Sequence, residues 1–252
     1  MEVHHHPQLE HKPKPWKEYF LEFIMIFLAV TMGFFAENIR EFFSERTKEK
    51  EYISSIIQDL KVDKNIIDSS NVTNDSAVIT NLEFLRLLKE GGNDFNNQAQ
   101  LAKLYIRLQI FAVIISDPKT YDQLKSTGDF RLIKNKKALD SISLYYQQVN
   151  EQKIYADEVQ TNLVNNYIFG SKVIDMTVLK FDVKQTNFTA KISDIEKIKA
   201  LTKIDIYKYE YINRLTNFDF ILVKYRRHSL QIKAIANSLI KLLEKEYHSE
   251  NV

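Results

Sequence analysis

From Tyr19 to Ala36 the chain reads Y-F-L-E-F-I-M-I-F-L-A-V-T-M-G-F-F-A, with Glu22 as the sole charge. A run of that length is near the minimum for crossing a bilayer, and it predicts a transmembrane helix over residues 16–36. The run is too long for the apolar region of a cleaved signal peptide. Glu37-Asn38-Ile39-Arg40 follows where small residues should mark a cleavage site, so the span is expected to stay as an anchor. Trp16 and Tyr19 put amphipathic rings at its start, with Lys17 among them, as at a headgroup boundary. Glu22, Ala29, Gly33 and Ala36 recur on one face. Ala29-x-x-x-Gly33 lets backbones approach closely, and the Glu22 carboxyl favours a protein neighbour; the other reading is that Glu22 snorkels to the headgroups and Gly33 is incidental.

Past the span the helical period continues, because neither Gly nor Pro occurs between Gly33 and Gly91. Residues 37–52 alternate in charge and read as a juxtamembrane helical stalk. Ile53, Ile56, Ile57, Leu60, Ile67, Val78, Leu82, Leu85 and Leu88 hold one stripe across the polar stretch Ser69–Ser76, which predicts an unbroken helix; a turn near Asn71–Asp75 is the alternative. Gly91-Gly92 supplies its stop. A second stripe runs Leu101, Leu104, Leu108, Phe111, Ile115 to Asp117-Pro118. A third runs from Leu139 through Ile142, Val149, Val159 and Tyr167 to Gly170, and a last one from near Thr202 to Leu243. The expected fold is all-α: a transmembrane helix continuing into a stalk and an antiparallel helical bundle over residues 53–248. Residues 1–15, which hold three of the four prolines, form an irregular leader, residues 249–252 form a tail, and Ser171–Lys191 reads as a loop with one strand-like piece.

Composition narrows the chemistry. Five Gly and four Pro in 252 residues leave little material for a turn-rich sandwich or barrel. A net charge of +2 gives no bulk case for a nucleic-acid partner, so the basic stretches Lys224–His228 and Arg131–Lys137 read as solvated helix faces. The absence of Cys removes disulfides, thiolate nucleophiles and Cys-ligated metals. Outside the leader the histidines are His228 and His248, too few for a His-built centre, while His4, His5 and His6 would capture Ni²⁺ or Zn²⁺ only adventitiously. No phosphate-cradling glycine loop or metalloprotease motif occurs. Neither cofactor, metal nor enzymatic activity is expected.

Two stretches carry a resemblance. M-E-V-H-H-H-P with the span behind it, and T-Y-D-Q-L-K-S-T-G-D-F-R-L-I-K-N-K-K-A-L-D-S-I-S-L-Y-Y at Thr120–Tyr146, resemble an uncharacterised family of single-span membrane proteins of Gram-negative bacteria. The resemblance implies location in the inner membrane and this layout, and carries over no catalytic residue. Read from its residues, L-K-S-x-G-x-x-x-L-I-x-N is a structural corner. Tyr121–Ser126, including Leu124, makes a short helix, Gly128 caps it, Leu132-Ile133 enters the core and Asn135 caps the next helix; a ligand-binding corner is the sharper alternative.

A short basic leader, a retained span and a long following domain suggest a bundle on the periplasmic side, although basic residues flank both ends of the span. The expected function is a non-enzymatic membrane-anchored interaction or scaffold protein. Its partners would be the lipid bilayer and either a second copy or other membrane proteins. The rival is a sensor or transport-complex accessory subunit whose bundle binds a ligand. An internal cavity with convergent polar groups would favour the sensor, and an exposed apolar stripe the scaffold.

Overall fold

The computed structural model describes residues 15–90, 95–114, 116–174, 179–182, 189–192 and 204–248. The leader, the stop at Gly91-Gly92 and the tail lie outside them. The fold is all-α, with an apolar amino-terminal helical stretch and a helical bundle; the described residues form five α-helices and one small hairpin. Helix α1 spans Trp16–Glu90, α2 Phe95–Arg107, α3 Lys119–Thr127, α4 Lys136–Gly170 and α5 Ile204–His248, and a 3₁₀ turn occupies Asp129–Leu132. Strands β1 (Leu179–Asp182) and β2 (Thr189–Ile192) pair antiparallel, Leu179 opposite Ile192. Where one strand-like piece was expected there are two, because a strand needs a partner for its backbone groups.

The turn considered near Asn71–Asp75 does not form. The hydroxyls of Thr73, Ser76 and Thr80 each donate to the carbonyl one turn back, at 3.3, 3.1 and 2.8 Å, so they bond inside the helix instead of capping a new one.

The chain divides into two compact units between Glu51 and Tyr52. In the first, the amino-terminal stretch of α1 is long and apolar enough to cross a membrane, and none of that stretch is buried. The second unit holds the core. Along α1 the buried positions step by three and four through Ile53, Ile56, Leu60, Asp63, Ile67, Ser70, Asn74, Ala77, Asn81, Phe84 and Leu88. Helix α4 repeats the pattern from Ala138 and Ile142 through Gln152 to Leu163 and Asn166, and α5 from Tyr211 and Leu215 through Ser229 to Leu243. Leu82 and Tyr167, expected on these stripes, are exposed; Asn81 and Asn166 take the seam positions beside them.

Shared clusters fix the directions. Ile53–Ile67 of α1 pack with Ala138–Val149 of α4 and Ile232–Tyr247 of α5, whereas Phe84–Leu88 pack with Phe169 and with Tyr211 and Leu215. Helices α1 and α4 therefore run the same way, and α5 runs antiparallel to both. Joining two parallel helices needs a return across the bundle, and the chain makes it through α2, a non-helical segment and α3. Helix α2 ends at Arg107 instead of running on along the expected stripe, and residues 110–114 and 116–118 are non-helical. The run F-A-V-I-I after Ile110 is rich in β-branched residues that lose side-chain freedom in a helix.

Where α2, α4 and α5 meet, Gly170 is pressed against aromatic rings: a Cβ there would overlap the Tyr105 ring and lie 2.5 Å from the Tyr211 hydroxyl. Helix propensity favours Ala over Gly by about 1 kcal/mol, but overpacking a filled core typically costs about 1–3 kcal/mol. Both ring atoms belong to buried tyrosines, so the clash should win, and Gly170→Ala is expected to lower stability by about 1–2 kcal/mol in urea unfolding. An unchanged or raised midpoint would show that the rings yield freely.

Candidate functional site

The polar positions in the seam converge on the return segment. Asn74 on α1 grips the Ala112 peptide with both ends of its amide: Nδ2 donates to the Ala112 carbonyl at 3.0 Å, and Oδ1 accepts from the Ala112 N–H at 2.9 Å. The Ile114 N–H donates to the Tyr225 hydroxyl at 2.9 Å, and Phe111 meets the Tyr225 ring edge-on at 5.1 Å. Ser116 Oγ and Tyr145 Oη both donate to Asp63 Oδ2 at 2.6 Å.

Burial pushes the Asp63 carboxyl above its ordinary range; the Ser116 and Tyr145 hydrogen bonds pull partly the other way, and Asp59 and Asp117 add to the rise. Desolvation also raises the Tyr145 phenol, with Asp63 beside it. Next along the layer, Ser229 donates to Asn71 Oδ1 at 2.8 Å, and Arg226 forks onto the Asp75 carboxylate. Buried His228 lies between two glutamines, with Nδ1 2.5 Å from Gln152 Oε1 and Nε2 3.2 Å from Gln148 Oε1. A neutral imidazole donates through one nitrogen and accepts through the other, so one glutamine must turn its NH₂ to the ring; Gln152, whose Nε2 has no other partner, is able to. Desolvation holds the His228 pKa below its usual value, against a smaller pull upward from Glu151, whose Oε2 is 3.8 Å away.

This layer is a fastening. Its hydroxyls, amides and carboxylates are largely consumed in holding Ala112, Ile114 and Ser116 and in tying the helices to one another, and the cavity beside Asp63, Ser116, Tyr145 and Gln152 has a volume of about 10 Å³, enough for one water and no substrate. Among the described residues no group of three or more His, Asp or Glu is placed to hold a metal. None of these seam residues stood among the sequence-level site candidates. The signal available was polar residues at three-four spacing with apolar ones, which periodicity counts as gaps.

The sequence-level candidates fall in two other places. Tyr121 stacks on Tyr146 at 4.3 Å and meets Phe130 at 5.3 Å, Leu124 and Leu132 are buried, and Gly128 ends α3 in the left-handed conformation (φ 73°) with its N–H on the Leu124 carbonyl. Asn135 caps α4 by accepting from the Ala138 N–H at 3.1 Å, and it also donates to Glu246 at 3.1 Å. These contacts make a packed corner joining α3 to α4. Glu22, Ala29, Gly33 and Ala36 lie in the first unit: Glu22 is half-buried, the other three are accessible, and a Cβ on Gly33 would meet nothing within 4 Å. Trp16, Lys17 and Tyr19 are exposed at the helix start, with Trp16 stacked on Phe20 at 5.7 Å.

No protein-family model, no curated protein and no solved structure matches the chain.

Two outcomes follow from the fastening. Asn74→Ala strips both partners from the half-buried Ala112 peptide and should cost about 2 kcal/mol, with faster amide exchange confined to residues 111–116. Wild-type stability loss without that local exchange would contradict the grip. For His228, burial lowers the folded pKa, so between the folded and unfolded values the unfolded state binds more protons. Its contribution is complete above the ordinary value of 6.5 and is lost as pH falls below it. Asp63 has the opposite sign: its raised pKa penalises the folded state above that value, and the penalty is lifted as pH falls through it toward 3.8. Replacing His228 by Gln should therefore flatten the loss of stability just below pH 6.5, read from urea midpoints across that range; an undiminished slope would assign it to other groups.

Proposed function

We propose that the chain is a non-enzymatic, membrane-anchored interaction protein, held in a bilayer by the amino-terminal stretch of α1 and presenting its bundle to partner proteins or a second copy of itself. The observation that carries this reading is the outer face of α5. Thr216, Phe220, Val223, Arg227, Leu230 and Ala234 repeat the three-four step on the side away from the seam, all exposed, Phe220 at 79%. Open grooves of about 460 and 480 Å³ flank the stripe, one lined by Phe220 and Val223 and the other by Leu144, Ala234 and Leu242. Repeated apolar side chains beside open grooves are the dress of a protein-binding surface. The water-sized cavity of the polar layer weighs against the sensor alternative.

The resemblance to single-span proteins of Gram-negative bacteria supports an inner-membrane location, and a periplasmic bundle is part of the proposal. Self-association is part of the proposal, with the Glu22, Ala29, Gly33 and Ala36 face as the intramembrane contact.

Three experiments test the reading. A photoreactive residue at Phe220 in the full chain should give discrete adducts in native membranes, and one at exposed Lys125 should not; equal labelling or none would remove the α5 stripe as an interface. Protease added to spheroplasts should digest residues beyond Glu37, and full protection there would reverse the orientation. Gly33→Leu should weaken association of the span by about 1–2 kcal/mol if model-peptide strengths apply.

A further inference from the structure

The apolar surface of α1 does not stop at Ala36. Ile39, Phe42 and Phe43 are all more than half exposed, as is Phe35 before them, and Phe42 and Phe43 meet edge-on at 5.7 Å without covering each other. At about 100° per residue, Phe35, Ile39, Phe42 and Phe43 lie within about 100° of one another. Glu37, Arg40, Glu41 and Ser44 occupy the opposite side, where Arg40 Nε donates to the Glu37 carboxylate at 3.0 Å. A helix wholly outside the membrane, with no protein over this face, would have no reason to keep three large apolar side chains in water for two turns past a span.

We propose that Phe35, Ile39, Phe42 and Phe43 form a lipid-facing ridge seated in the headgroup–acyl boundary of the leaflet where the span ends, so that α1 leaves the membrane after Phe43. This rests on the reading of α1 as a membrane anchor. Length supports it. Tyr19–Ala36 covers about 27 Å of helix, close to the roughly 30 Å hydrocarbon core, while Trp16–Phe43 covers about 42 Å, matching a whole bilayer with both interfacial layers. Rings then stand at both boundaries, Trp16, Tyr19 and Phe20 at one and Phe42 and Phe43 at the other, the positions aromatic belts take. Continuity with the span is the reason to choose lipid as the occupant: the ridge begins with Phe35 inside the apolar run and holds its face without a break. The Glu37–Arg40 pair lies on the side of Gly33 and Ala36, away from the lipid.

Trp16 is the chain's one tryptophan, so Trp16→Phe gives a silent background for the full protein in phosphatidylcholine vesicles whose acyl chains carry bromine at a deep or a shallow position. Into it go Phe27→Trp for the mid-span, Phe43→Trp for the ridge and Ser44→Trp for the opposite face. The expected result is strong quenching of Phe27→Trp by deep bromine, blue-shifted emission and quenching by shallow bromine for Phe43→Trp, and red emission with little quenching for Ser44→Trp. If Phe27→Trp is quenched while Phe43→Trp behaves like Ser44→Trp, the ridge is in water and the proposal fails with the anchor intact. Blue-shifted Phe43→Trp that neither bromine quenches would mean that protein covers the ridge, which also overturns it. An unquenched Phe27→Trp would overturn the anchor and the ridge together.

Discussion

A non-helical segment packed against helices must find a partner for every N–H and C=O it hides, and that requirement organises the bundle. Helices satisfy their own backbones; the return segment after Ile110 cannot. Asn74 answers for the Ala112 peptide groups and Tyr225 for the Ile114 N–H, and Asp63 adds a side-chain tie to Ser116, each at a seam position where an apolar side chain would otherwise pack. The cost is a core interrupted in its middle. Apolar side chains gather in three separate clusters, with Asp63, Asn71, Asn74, Gln152 and Ser229 among the residues at their boundaries. A fourth helix in place of the return would have allowed one continuous apolar seam. A non-helical return is free to cover more distance per residue than the roughly 1.5 Å rise of a helix, so that a short segment brings the chain back for α4 to start alongside α1.

This organisation explains which features could be read from residues alone. Helices α1, α4 and α5 were legible because each keeps its phase over more than thirty residues, and a long regular signal survives individual exceptions. The corner was legible for another reason: Gly128 and Asn135 act locally, through a left-handed turn and a cap that need no distant partner. What could not be read depends on partners distant in sequence. Asn81 bonds the Leu215 carbonyl and Asp219, at 3.2 and 2.6 Å, so it holds a buried position that hydropathy assigned to Leu82. The F-A-V-I-I run fits a helix face as well as a strand. Only the grip of Asn74 on Ala112 decides it, and nothing in a linear sequence announces which Asn will meet which peptide.

The polar layer carries two ionisable groups whose burial acts in opposite senses. His228 is disfavoured as a cation and Asp63 as an anion, so desolvation favours the neutral form of each. At His228 the neutral form suits the fastening: a neutral imidazole completes the exchange with its glutamines. Asp63 accepts two short hydrogen bonds on one oxygen, and these offset part of the cost of its charge at neutral pH. Stability therefore turns on acceptor and donor matching more than on ion pairs. The exposed pairs Lys61–Glu244 and Lys224–Glu158, each at 3.1 Å, contribute little beside it.

Apolar exposure separates the two units by kind. Along Trp16–Phe43 it is nearly continuous, on most faces of the helix within the apolar run and on one face beyond it, a pattern that suits lipid, which has no fixed shape to complement. On α5 the exposed apolar residues are spaced and interleaved with Arg227 and Lys224, and grooves lie beside them; that suits a partner with side chains of its own. A lipid surface rewards area alone, whereas a protein surface rewards area only where polar groups at the rim are also met. By that criterion the Phe35–Phe43 face of α1 and the Phe220–Ala234 face of α5 differ in kind, which is why lipid is proposed for the first and protein for the second.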